Sequence, residues 1–164
     1  MQLSRVVDPH GKETHFWRSA QSGGRATIQK RKGINNVAQA GDVVCITQHP
    51  KALEFSKQFY IECKHVKDLN IDTSVLKGRG LLKQFWAKAC VEARESGKLP
   101  MLIARQNIFG TLLILNNHGE TALRLMGYLE YLPMLSTRMM QRGRNGHVFF
   151  FWFSAICGGK EFKS

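Results

Sequence analysis

Two apolar stretches of this chain carry charged residues where a strand in a folded core would carry none. The first, Asp42-Val43-Val44-Cys45-Ile46, follows Gly41, and the second is Phe59-Tyr60-Ile61-Glu62-Cys63-Lys64. Both read as β-strands. Successive strand side chains turn to opposite faces, so Glu62 and Lys64 point one way and Cys63 the other. If the two strands pair as a hairpin, Asp42 joins Glu62 and Lys64 in one cluster. Two carboxylates and an ammonium at the edge of an apolar sheet are costly unless something uses them. The usual use is a divalent metal held by the carboxylates, with the lysine beside the attacking water. The alternative is a surface ion pair across a hairpin, which contributes little.

The 164 residues suffice for one domain with a real core and are short for two, so 1–164 is read as a single domain. The formal charge of +12 draws the chain to polyanions, and nucleic acid is the expected partner. A membrane surface is the rival partner, but no basic amphipathic helix stands out. The apolar run Val148 to Cys157 is too short for a membrane helix, which needs about twenty residues. Cys45, Cys63, Cys90 and Cys157 form no Cys-x-x-Cys pair and read as small core residues of a reduced protein. The six histidines show no metal-type spacing. The start of the chain lacks the apolar run of a signal peptide, and an intracellular location is expected.

Along the chain, residues 1–15 read as a loose lead-in and Glu13 to Ala20 as a short helix or a first strand. The stretch 21–40 is a glycine-rich, basic, flexible loop. A hairpin is expected over 42–67, with His49-Pro50-Lys51 in its connection. Leu81 to Ser96 is the clearest helix, because Leu82, Phe85, Trp86, Ala89, Cys90 and Ala93 recur at helical spacing and Gly97 and Pro100 end it. Met101 to Arg105 and Thr111 to Leu115 are strands. A turn at 116–119 precedes a helix from Glu120 to Leu132. A basic loop at 142–146 leads to an aromatic strand from Val148 to Ile156, buried on both faces or half of a dimer interface. This order gives an α/β fold with a mixed sheet.

Asp42 followed by Glu62-x-Lys64 resembles the PD-(D/E)xK nuclease superfamily, in which a lone acid precedes an acid-x-Lys tripeptide across a hairpin. Gly41 stands where the family name has proline. Upstream, Arg18-Ser19-Ala20-Gln21-Ser22-Gly23-Gly24 is similar to the segment preceding the metal aspartate in Holliday-junction resolvases of the archaeal type, and the likeness is to the resolvase-like branch, including small phage-encoded members. The resemblance covers roughly residues 13–115.

It implies a restriction-endonuclease-like fold, a central mixed β-sheet flanked by helices, and a Mg²⁺-dependent DNA endonuclease, with Mn²⁺ as a substitute. Asp42, Glu62 and the Cys63 carbonyl would hold the metal, and Lys64 would orient or stabilise the attacking hydroxide. Glu13 is the candidate third acid; its alternative is a solvated glutamate at a helix start. Ser22 and its glycines would bind a phosphate or form a plain turn. Arg18, Arg25, Lys30, Arg31 and Lys32 would contact DNA phosphates. Gln84 or Lys88 on the clear helix, and Arg105 and Gln106 at a strand end, are further candidates. Family members are commonly homodimers, and residues 134–164 are the candidate segment for dimerisation or for extending the sheet. A homing or restriction-type duplex endonuclease of the same fold and a non-catalytic DNA-binding protein stay open as alternatives.

Overall fold

The computed structural model describes residues 3–19, 41–70, 73–74, 77, 79–107, 110–128, 135–141 and 144–152. In chain order these form α1 (Ser4–Val7), β1 (Phe16–Arg18), β2 (Val43–Cys45), α2 (Pro50–Gln58), β3 (Phe59–Val66), α3 (Leu81–Glu95), β4 (Leu99–Gln106), β5 (Gly110–Asn116), α4 (Asn117–Leu125), β6 (Leu135–Gln141) and β7 (Arg144–Trp152). The expected basic loop at 21–40 and Cys157 lie outside the described residues.

A parallel strand pair needs a long crossover, and the longest helix supplies it. β3 and β4 run parallel, from Phe59 beside Leu99 to Val66 beside Gln106, with α3 between them in sequence. β5, β7 and β6 extend the sheet antiparallel, giving the order β3-β4-β5-β7-β6. The mixed sheet predicted from the element order is present. β1 and β2 form a separate antiparallel pair, Phe16 beside Cys45.

Strand alternation splits the core across the two sheet faces. Met101 on β4 and Leu113 and Leu115 on β5 pack with Leu3, Val6, Phe16, Phe55 and Leu123. Leu102 and Ala104 on β4 and Leu112 and Ile114 on β5 pack with Leu82 and Trp86 of α3. Thus α3 covers one face, while α1, α2, α4 and β1 cover the other. On β3 the same alternation places Phe59 and Ile61 in the first core, with Cys63 packed against it. Tyr60, Glu62 and Lys64 are left for the α3 side.

Several boundaries differ from the sequence reading. The expected hairpin of 42–67 is not a hairpin. Pro50 opens a nine-residue helix, α2, that buries Ala52 and Phe55, and β2 pairs with β1 instead of β3. Proline is well suited to the first turn of a helix, where its missing N–H costs nothing. Residues 3–7 are not a loose lead-in: Leu3, Val6 and Val7 are core residues, and the buried Ser4 hydroxyl accepts from the N–H groups of His15 and Phe16. The turn expected at 116–119 is the start of α4, because the Asn116 side chain accepts from Gly119 N–H as an N-cap. That helix ends near Gly127, at φ +75°, short of the expected Leu132. Arg144, Asn145 and Gly146, expected in a loop, belong to β7. β7 is paired on both edges; its Val148 and Phe150 are buried in the core on the α3 side, and Phe149 is partly buried against the core on the other face.

Candidate functional site

Among the described residues β3 is the outermost strand of its sheet, and its outer edge meets the residue before β2. Asp42 N–H donates to the Ile61 carbonyl at 2.8 Å, and Cys63 N–H donates to Asp42 Oδ2 at 2.9 Å. One residue therefore satisfies two groups of an unpaired strand edge. Asp42 reaches Glu62-x-Lys64 through this seam rather than through a ladder.

Gly41 makes the approach possible. Its φ is +99°, and a Cβ there would sit 2.7 Å from the Ile61 carbonyl oxygen. Proline holds φ near −65°, so the family proline cannot occupy this backbone. The departure from the family pattern has a local cause: the chain must cross β3 at close range in a conformation that glycine alone adopts readily.

Glu62 is 4 % exposed. A buried carboxylate needs partners, and Lys64 Nζ lies 2.6 Å from its Oε1. Lys88 of α3 adds a second cation at 3.8 Å. Tyr60 donates its hydroxyl to Glu92 of α3 at 2.7 Å, with Glu62 Oε2 farther off at 3.4 Å. Lys88 also lies 3.7 Å from Glu92. The Lys64 ammonium stands 5.6 Å over the Phe85 ring. The trio named from sequence is together: Glu62 and Lys64 lie between β3 and α3, and Asp42 stands beside them at the β3 edge.

Burial raises the Asp42 pKa above the ordinary aspartate value; Cys63 N–H opposes this, and the Glu62 charge adds to it. Lys64 is shifted upward: desolvation alone would pull it down, but its bond to Glu62 and the Asp42 and Glu92 charges outweigh that. Desolvation, helped by Asp42 and Glu62, pushes the Cys63 thiol up to about 12. Burial and the Glu92 bond hold the Tyr60 phenol protonated far above its usual range. The Cys63 side chain packs against the first core, on the face away from Glu62, which leaves its carbonyl as the donor to that centre. In a strand the N–H and C=O of one residue open on the same edge, so that carbonyl faces the edge that Asp42 occupies. Two carboxylates and a carbonyl are an all-oxygen donor set, which fits a hard divalent cation such as Mg²⁺.

Residues 8–150 match the profile of the family described as "Phage putative PDDEXK endonuclease". The chain belongs to this family. Its α/β fold, a mixed sheet flanked by helices, is the restriction-endonuclease-like fold expected of a phage PD-(D/E)xK endonuclease. No curated protein and no solved structure matches the chain.

The other predicted residues fare differently. Arg18 ends β1 close enough to Asp42 to oppose its pKa rise, and Ser19 N–H donates to the Asp42 carbonyl at 2.8 Å. Glu13 is exposed, and no hydrogen bond or ion pair joins it to Asp42, Glu62 or Lys64. Ser22, Arg25, Lys30, Arg31 and Lys32 lie outside the described residues. Of the two α3 candidates, Lys88 reaches Glu62 while Gln84 is exposed. Gln106 is buried and accepts from Leu69 N–H at 3.1 Å, so it serves the fold and not a DNA surface. Tyr60 and Glu92 were missed. The signals were Tyr60 two residues before Glu62 on one strand face, and Glu92 one helical turn after Lys88.

Proposed function

We propose that this member of a phage endonuclease family is a metal-dependent endodeoxyribonuclease acting on branched, Holliday-junction-like DNA inside the host cell, and that it works as a homodimer. What carries the reading is the Asp42 carboxylate anchored by Cys63 N–H at 2.9 Å beside the buried Glu62-x-Lys64 face. That anchoring turns a sequence motif into a fixed constellation.

Mg²⁺, or Mn²⁺ in its place, would be held by Asp42, Glu62 and the Cys63 carbonyl; when bound it supplies a more acidic water and offsets charge on the reacting phosphate. Lys64, kept protonated by its acidic neighbours, acts as a cation that orients the attacking water and stabilises negative charge. Tyr60 and Lys88 hold Glu92 and Glu62 in place and keep the repulsion among the acids in check. Arg18 and the basic 21–40 segment supply the sequence-independent attraction to phosphates. The charge of +12 favours such a substrate. Two strands cut at a junction call for two sites related by a two-fold axis, which motivates the dimer.

The test is cleavage of a labelled four-way junction and a matched linear duplex with Mg²⁺, Mn²⁺ or EDTA, by wild type, Asp42→Asn and Lys64→Ala. Paired, metal-dependent cuts confined to the junction, reduced at least a hundredfold in Asp42→Asn, are expected. Equal cutting of both DNAs would move the function to a duplex endonuclease. Retained binding with no cutting in any condition would sink the enzymatic reading.

A further inference from the structure

The histidines show no metal-type spacing in sequence, yet the fold gathers two of them with an aspartate far from Asp42 in the chain. Asp8 follows α1, His15 precedes β1, and His49 is the residue before α2. One ligand atom from each lies within 4.8 Å of those of the other two. His15 is 1 % exposed; its Nε2 lies 3.2 Å from Asp8 Oδ2 and its Nδ1 lies 2.9 Å from Thr47 Oγ1. The His15 and His49 rings are 4.5 Å apart, centroid to centroid.

An ordinary buried histidine hydrogen-bonded to an aspartate explains only part of this arrangement. It leaves His49 Nδ1, buried and without a hydrogen-bond partner among the described residues. An unsatisfied buried polar atom costs roughly 1–3 kcal/mol and calls for a cause. Asp8 and His15 are also each held by a partner on the side away from their shared contact, as metal ligands usually are. Gly11 N–H donates to Asp8 Oδ1 at 2.9 Å, leaving Oδ2 for His15. If His15 donates from Nδ1 to Thr47, its Nε2 lone pair faces a carboxylate oxygen at 3.2 Å, a contact between two acceptors that a proton or a metal ion between them relieves.

We propose that Asp8, His15 and His49 form a second divalent-metal site, of the zinc type, separate from the Asp42–Glu62 centre. Two imidazoles and one carboxylate suit a borderline-soft transition ion better than Mg²⁺. Around an ion with bonds of about 2.0–2.1 Å, tetrahedral ligand atoms lie roughly 3.3 Å apart. The His15–Asp8 pair is already at that spacing, and a modest movement of His49 closes the set. The fourth position is left to water. The ion would fasten the segment before β1 to the start of α2. Because Ile46 N–H donates to the His15 carbonyl at 2.9 Å, the same tie reaches the β1–β2 pair, whose second strand follows Asp42.

The experiment uses the full chain carrying Asp42→Asn and Glu62→Gln, which removes the first centre. After dialysis against EDTA, Zn²⁺ is titrated by calorimetry and Co²⁺ by its visible spectrum, and thermal unfolding is followed with and without Zn²⁺. One Zn²⁺ per chain, tetrahedral Co²⁺ bands and a raised unfolding midpoint are expected. Adding His49→Ala should weaken the affinity at least tenfold and remove the thermal gain; His49 makes no side-chain capping bond, so the helix loses nothing by it. Gly11→Ala should act in the same direction, because a Cβ there would lie 1.7 Å from Asp8 Oδ2. Should His49→Ala fail to fold, Asp8→Asn, whose side chain is 29 % exposed, decides. No Zn²⁺ bound to the parent, or equal binding by the parent and these variants, would overturn the proposal.

Discussion

Gly41 couples backbone conformation to chemistry. Its positive φ lets the chain pass close over Ile61 and present Asp42 to the strand edge. Gly41→Ala should cost roughly 1–3 kcal/mol, read as a lowered denaturant midpoint, and should impair DNA cleavage more than DNA binding, since Asp42 is displaced while the basic surface is kept. Burial holds the Asp42 carboxyl above the ordinary aspartate value of 3.8. The native state then holds this proton more tightly than the unfolded chain. Its contribution to stability is full below about pH 3.8 and is lost as pH rises through the native midpoint. In metal-free protein, Asp42→Asn should flatten that slope in pH-dependent urea unfolding, and Glu62→Gln should lower the Asp42 midpoint in carboxylate NMR. An unchanged midpoint in Glu62→Gln would show that the two acids do not interact. At this scale the trio of Asp42, Glu62 and Lys64 was legible, because a two-residue period and a charged pair in an apolar run are local signals. Tyr60 with Glu92 was harder to see, since strand and helix spacing put each residue on a face but do not announce the hydrogen bond that joins β3 to α3.

At the level of elements, α3 could be read almost to the residue, because its apolar positions recur at helical spacing and Gly97, at φ +68°, follows its end. The link between β2 and β3 could not. Pro50 is compatible with both a turn and a helix start, and burial of Ala52 and Phe55 against the first core decides for the helix. The start of α4 was hidden likewise, since Asn116-Asn117-His118-Gly119 is turn chemistry unless Asn116 caps a helix. Asn116→Ala should cost about 1 kcal/mol in thermal or urea unfolding. No such loss would mean that Gly119 N–H is satisfied otherwise. On α3, Lys88→Ala should lower nuclease activity moderately and shift its pH profile, because the carboxylates of Glu62 and Glu92 would lose a shared cation. An unaltered profile would make Lys88 a solvated surface residue.

For the molecule as a whole, the first residues belong to the core. Leu3, Val6 and Val7 are buried against Phe16 and Phe55, beneath the same sheet face that receives Met101 and Leu113. Deleting residues 1–7 should cost more than about 3 kcal/mol and broaden unfolding, as followed by circular dichroism. A deletion variant as stable as the full chain would place these residues outside the cooperative unit. The turn residues Asp8-Pro9-His10-Gly11 make 1–15 read as a loose lead-in, and a four-residue helix before them carries no periodic signal of its own. The β3 edge has a consequence for solubility. Exposed strand edges recruit other strands, and proteins guard them. Here the guard is Asp42, whose amide and carboxylate occupy Ile61 and Cys63. The residue proposed to hold a metal is also the stopper on a sticky border, so any ligand that draws its carboxylate away uncovers Cys63 N–H. Asp42→Ala should then be lost to self-association sooner than Asp42→Asn, whose amide oxygen can still plug the gap.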